Sequence, residues 1–163
     1  MIQLKNIKHS EFASEETHCY EGKLYVDGVL WGVVGNSGHG GPDHFYGVGG
    51  RDYGDLPALN ERIAAAYPRL NEHVASDLEI VCSDLVNDFL RQRHLKSLLS
   101  RSTKTKVLYF KEPPVEGAPL FTQPLKTHSL EAMVKFISTK YPTAVVINTL
   151  PQDQALKLLA LAA

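Results

Sequence analysis

The spacing of apolar and polar positions changes period along this chain, and the changes set the expected order of elements. Ile2 and Leu4 stand two apart in IQLKNIK (2–8), which predicts a first strand, with HSEFASEE as its connection. Residues 17–26 and 29–35 are rich in Tyr, Val, Leu and Trp. They are split only by Asp27-Gly28, a dipeptide that accepts positive φ in a two-residue type I′ turn. Placing Val26 opposite Val29 pairs Leu24 with Trp31, Gly22 with Val33 and Tyr20 with Gly35 on one apolar face. Cys19, Glu21, Lys23, Tyr25, Leu30, Gly32 and Val34 then fall on the other face. Residues 45–48 would suit a short strand, but Gly47, Gly49, Gly50 and Gly54 favour an irregular loop, leaving a three-stranded antiparallel meander.

From residue 55 the period becomes helical. Asp55-Leu56-Pro57 reads as an N-cap with Pro in the first turn of a helix through Ala66. A second helix opens at Ser76-Asp77 with Glu79, and Leu78, Val81, Cys82, Leu85, Val86 and Phe89 recur at threes and fours. After Phe89 the phase slips to Leu95, Leu98 and Leu99, which predicts a bend or restart near 91–94. KVLYF (106–110) predicts a strand, Pro113-Pro114 and Gly117 a loop, and Leu120-Phe121 a weak returning strand. Leu130, Met133, Val134 and Ile137 predict a helix that ends at Tyr141-Pro142. TAVVIN (143–148) reads as a strand covered on both faces, and Pro151 opens a terminal helix. This C-terminal succession suggests a right-handed βαβ unit. The expected fold class is α+β: an N-terminal antiparallel β-meander, a long central helix and a C-terminal strand-helix-strand-helix portion. It is read as one domain over 1–163, with parts at 1–54, 55–103 and 104–163.

Composition adds bounds. At 163 residues and 44% hydrophobic, the chain can bury a sizeable core. No apolar run nears the ~18 residues that span a bilayer, and MIQLKNIKHS lacks an apolar signal region, so a cytoplasmic protein without membrane association is expected. Cys19 and Cys82 lack metal spacing and read as thiols. The net charge of −1 conceals an asymmetry: through Asp88 there are 14 acidic and 6 basic residues, and from Phe89 onward 4 acidic and 11 basic.

Three stretches carry candidate chemistry. The loop GNSGHGGPDHFYG (35–47) holds His39, Asp43 and His44, and extending the hairpin brings His18 towards its open end. Two imidazoles and a carboxylate suit a divalent metal, although the spacing matches no metal signature; otherwise the glycines make turns and the histidines bond backbone. GHGG leads into Phe45-Tyr46 rather than a helix, which excludes a P-loop. GVGGRDYG (47–54) offers Arg51 and Tyr53 for a nucleotide or partner. The run RQRHLKSLLSRSTKTK (91–106) contains Arg91, Arg93, Lys96, Arg101, Lys104 and Lys106 and no acid. Such a run can neutralise phosphates or simply form a solvated face. No GxSxG elbow or activated cysteine motif indicates covalent catalysis.

The segments KNIKHSEFASEETHCYEGKLYVDG (5–28), NSGHGG (36–41) and VVINTLPQDQAL (145–156) resemble small uncharacterised accessory proteins carried by phages and plasmids of Gram-negative bacteria. The resemblance implies a protein that binds host machinery, including restriction or CRISPR complexes, and it transfers no site residues. Three functions are therefore expected in turn. The first is a non-enzymatic accessory protein, of the counter-defence or anti-CRISPR-like kind, that binds a host protein or protein–nucleic acid complex and needs no cofactor. The second is a metal-dependent hydrolase or nuclease centred on His39, Asp43 and His44, with His18 as a further ligand. The third is direct nucleic-acid binding through the basic run.

Overall fold

The computed structural model describes residues 2–67 and 76–162. Its first sheet is the antiparallel series β1 (Ile2–Ser10), β2 (Cys19–Val26), β3 (Val29–Asn36) and β4 (His44–Gly47), in that spatial order. Asp27 (φ 51°) and Gly28 (φ 81°) both take the positive φ that the two-residue turn requires, and Val26 faces Val29 as expected.

Beyond the turn the expected register fails by one residue. Tyr25 faces Leu30 but Leu24 faces Gly32, so Trp31 is an extra residue in β3, a β-bulge. Every later pair shifts: Gly22 faces Val34 and Tyr20 faces Asn36. Because side chains alternate, Val34 and Asn36 turn to the core with Leu24, while Val33 turns outward. The expected assignment of Gly32 and Val34 to the wet face is thus corrected.

The glycine-rich segment after Gly41 also forms a strand rather than only a loop. In β4 Phe45 faces Val34 and is buried, whereas Tyr46 faces Val33 and is exposed. Gly32 permits this fourth strand: a Cβ there would lie 2.9 Å from the Gly47 Cα and collide with the Tyr46 carbonyl oxygen.

The helix α1 (Leu56–Ala66) and the first half of α2 (Leu78–Ser102), as far as Leu90, cover the inner side of this sheet. Asp55 does not cap α1 with its side chain; its carboxylate accepts from the Asp52 N–H (2.9 Å) in a 3-10 turn over Tyr53–Asp55. Asp77 caps α2 by accepting from the Ile80 N–H (2.9 Å). Leu59 and Ile63 of α1 and Val81, Cys82 and Val86 of α2 meet Ile2, Leu24, Val26, Val34 and Phe45 of the sheet. Burying each such aliphatic or aromatic side chain contributes about 1.5–3 kcal/mol.

The expected restart near 91–94 is absent, since α2 is one helix from Leu78 to Ser102. The phase slip records a change of apolar neighbours instead. Val81, Cys82 and Val86 belong to the first cluster, and Leu95 with Leu99 to a second one around Leu108, Phe110, Ile147 and Leu156. The chain forms two compact units, Met1–Leu90 and Arg91–Ala163.

In the second unit β5 (Lys106–Phe110) lies between β6 (Phe121–Pro124) and β7 (Val145–Val146), and both pairings are antiparallel. The suggested βαβ crossover is therefore not formed, although α3 (Leu130–Lys140) does intervene, capped by Ser129 at Ala132 N–H (3.2 Å). The strand expected over 143–148 stops after two residues and passes into a 3-10 turn, Ile147–Thr149. There the Asn148 carboxamide substitutes for strand backbone, accepting from the Leu108 N–H (2.7 Å) and donating to the Lys106 carbonyl (2.9 Å). The terminal helix α4 (Gln152–Leu159) follows Pro151 as expected. Among the described residues no helix is long and apolar enough to cross a membrane.

Candidate functional site

The open end of the hairpin is a knot of polar groups centred on Asn36, which is buried. Its carboxamide oxygen accepts from the Thr17 hydroxyl (2.7 Å) and the Gly38 N–H (2.9 Å). Its NH2 donates to the Gly41 carbonyl (2.8 Å) and to Asp43 Oδ1 (3.0 Å). Four hydrogen bonds exhaust this amide's usual capacity, so one side chain fixes both ends of the loop 37–43. The Gly38 carbonyl in turn accepts from the N–H groups of Glu15, Glu16 and Thr17. Gly38 has φ +92°, and a Cβ there would run into the Ala13 carbonyl, so only glycine fits.

Asp43 connects this knot to the core. Its Oδ2 accepts from the Tyr20 hydroxyl, which also lies against the Cys82 thiol. Burial first, then the Cys82 and Asp43 charges, hold the Tyr20 phenol well above its ordinary range. Burial and the Asp43 carboxylate push the Cys82 thiol up to about 12. Glu79, whose carboxylate accepts from the Asp43 backbone, is also raised, first by burial and then by Asp43 and Asp77. The phenol and thiol therefore keep their protons at neutral pH. Cys82 supplies no thiolate nucleophile, and the cluster acts as a hydrogen-bonded brace.

A cavity of about 60 Å3 opens here between Thr17, His18, Tyr20, Asn36, Asp43, Glu79 and Ser83. Organic ligands occupy pockets of about 300–1,000 Å3, so this one suits only small polar species such as water.

The four proposed metal ligands go separate ways. Of them, only His18 and Asp43 line the cavity. His18 shares a hydrogen bond with Asn87 Oδ1 (2.8 Å) and meets the His9 ring edge-on at 5.4 Å. His39 is exposed and pairs with Glu15 at 3.3 Å. His44 faces Gly35 and lies against the Tyr46 ring at 5.2 Å. Strand alternation explains the split: Phe45 points inward, so His44 points outward, away from Asn36. Among the described residues no three His, Cys, Asp or Glu side chains are grouped to hold a metal ion. Thr17, Tyr20, Asn36, Glu79 and Cys82 complete the cluster instead. The signal in the sequence was Tyr20 on the core face, because a buried phenol needs a partner for its hydroxyl.

Arg51 and Tyr53 lie beside β4. The Arg51 guanidinium sits over the Trp31 ring at 5.1 Å and donates to the Val48 carbonyl (3.2 Å). The Tyr53 hydroxyl accepts from the Phe45 N–H (2.8 Å) while its ring stands edge-on to Phe45. On the outer side of the sheet, pairing places Lys5, Lys23, Val33 and Tyr46 in one cross-strand row, and Lys8, Glu21, Gly35 and His44 in the next. Tyr46 is 65% exposed and Tyr53 56%.

The basic run divides by role. Arg91 donates to the Ala160 carbonyl (2.7 Å) at the end of α4 and so serves the fold. Arg93, Lys96, Arg101, Lys104 and Lys106 are exposed, and their side chains form no ion pair among the described residues. The larger hollows of the second unit, about 420 Å3 beside residues 110–121 and about 340 Å3 beside Lys126, His128 and Phe136, are open and apolar-lined. Comparison of the chain with protein-family models, curated proteins and solved structures returned no match.

Proposed function

We infer that this chain is a non-enzymatic binding protein whose first unit engages a partner protein through the outer side of its sheet and the adjoining segment 46–53. The observation that carries this reading is the exposed Tyr46, paired with the half-buried Val33 and flanked by the exposed Val48 and Tyr53. Both helices contribute to the cluster on the inner side, and among the described residues Tyr46 stays exposed. Exposed tyrosines beside aliphatic groups, with Arg51 stacked on Trp31, are the side-chain types that concentrate binding energy at protein interfaces. The strand that presents Tyr46 is four residues long at the sheet edge, too short to recruit partners by strand addition alone, so side chains supply the contact.

The resemblance to accessory proteins of phages and plasmids supplies the nature of the partner: a host protein or protein–nucleic acid complex in a Gram-negative cytoplasm, with inhibition of a defence complex as the outcome. The geometry lends the hydrolase alternative no support, since His18, His39, Asp43 and His44 have different neighbours. The test is capture from a Gram-negative lysate followed by titration of the captured protein against variants. Tyr46→Lys and Val33→Glu are expected to weaken binding at least about 30-fold, the effect of a hot-spot residue, without lowering thermal stability. Equal binding by wild type and both variants would reject the surface. Metal-dependent cleavage abolished by His39→Ala would reject the reading as a whole.

A further inference from the structure

The two units differ sharply in charge, and five of the eleven cations of the positive one, Arg93, Lys96, Arg101, Lys104 and Lys106, are exposed and follow one another along the end of α2 and the turn after it. Met1–Leu90 holds 14 acidic and 6 basic residues, whereas Arg91–Ala163 holds 4 acidic and 11 basic. No Asp or Glu occurs between Asp88 and Glu112. We propose that the second half of α2, with the turn that follows it, binds the phosphate backbone of duplex nucleic acid independently of sequence, at a site separate from the sheet face above.

Helical geometry brings the cations together. At about 100° per residue, Arg93, Lys96 and Arg101 fall within roughly 140° of arc, with Ser97 and Ser100 between them. Lys104 and Lys106 extend the stripe past Ser102, through the turn into β5. Arg93 and Arg101 are about 12 Å apart along the helix axis. The major groove of B-DNA is also about 12 Å wide, so cations at this separation can meet phosphates on both of its walls.

The bland account of helix-end cations covers only part of the stripe. Arg101 lies in the last turn and complements the helix dipole. Arg93 and Lys96 lie in the middle of a 25-residue helix, beyond that influence, and carry no ion pair among the described residues. Arg91, by contrast, is committed to Ala160 and is excluded from the site.

No Phe, Tyr or Trp occurs in 91–106, and His94 is its one ring. Single-strand binding draws on successive bases stacked against several aromatic rings, which one imidazole does not provide. Arginine, lysine and serine instead provide donors for phosphate oxygens, which positions a duplex without reading its bases.

The test uses the full-length chain and fluorescence anisotropy with a labelled duplex DNA of mixed sequence, the matching single strand and poly-glutamate as competitor. Duplex affinity is expected to fall from about 50 to about 200 mM salt with a log–log slope near −4.5, the value for about five phosphate contacts. Arg93→Glu with Lys96→Glu should reduce affinity at least tenfold and flatten the slope by about 2. Arg93→Gln with Lys96→Gln should give a smaller loss in the same direction, which guards against a helix disturbed by charge reversal. Tyr46→Lys should leave duplex binding unchanged, so the two surfaces fail or hold separately. No duplex binding at low salt, tighter binding to the single strand, displacement by poly-glutamate at equal charge, or indifference to both double substitutions would each overturn the proposal.

Discussion

The Tyr20 hydroxyl donates to the Asp43 carboxylate across 23 residues of chain, and the same carboxylate accepts from the buried Asn36 amide. Asp43 thus receives two protein donors that have no substitute in its absence. Asp43→Ala is expected to destabilise the protein by about 1–3 kcal/mol, the cost of leaving buried polar groups unpaired. His39→Ala, which removes only an exposed pairing with Glu15, should stay within about 0.5 kcal/mol of wild type. Urea unfolding of the two variants separates these outcomes; equal stability would show that the knot is not braced through Asp43.

The same brace gives stability an alkaline limit. The Cys82 thiol has an ordinary value of 9.0 and is pushed up to about 12 in the folded protein. Above pH 9 the unfolded chain releases this proton while the folded chain keeps it. The contribution is fully present below pH 9 and is lost as pH rises towards 12, by up to about 1.4 kcal/mol per pH unit. Tyr20, raised in the same direction, adds to the decline above pH 10. Cys82→Val should flatten the fall in urea midpoint between pH 9 and 10. A wild-type midpoint that does not move over that interval would contradict the assigned environment.

How much of this was legible beforehand depends on distance along the chain. Asp27-Gly28 announced its turn because the dipeptide itself supplies both positive φ values. The bulge at Trp31 was hidden: it sets Gly32 opposite Leu24, where residues 45–47 come close, and no local spacing encodes that approach. One extra residue then reversed Val33 and Val34. In the site, the sequence marks Asp43 as a metal ligand beside His39 and His44, whereas its hydrogen-bond partners are Tyr20 and Asn36. Tyr20 and Asn36 reach it only through the folded sheet, and no local spacing encodes that. The stripe at 93–106 was readable directly, because a run of cations without acids needs no tertiary partner to be recognised.

Gly32 offers a direct test of how β4 is held. An added methyl would meet the Tyr46 carbonyl, the Gly47 Cα and the Phe45 ring, two of them backbone and unable to swing aside. Gly32→Ala is therefore expected to cost about 1–3 kcal/mol by overpacking and to separate β4 from β3. Hydrogen exchange should report it as lost protection at the paired amides of β3 and β4, with β1 and β2 little changed. Retained protection there would mean that the strands accommodate a side chain at this position.

Asn148 makes the corresponding case in the second unit. Its oxygen accepts from the Leu108 N–H and its NH2 donates to the Lys106 carbonyl, the two bonds that a longer β7 would otherwise supply to β5. Leu108 is buried, so its amide has no water to turn to when the side chain is shortened. Asn148→Ala should cost about 1–3 kcal/mol and accelerate exchange of the Leu108 amide. Asn148→Asp keeps the acceptor for Leu108 but brings a second oxygen against the Lys106 carbonyl, where a donor is required. It should therefore preserve slow exchange at Leu108 better than alanine does while still lowering stability. If alanine leaves that amide as protected as in wild type, the carboxamide is a bystander and the short strand is held by packing of Val146 and Ile147 alone.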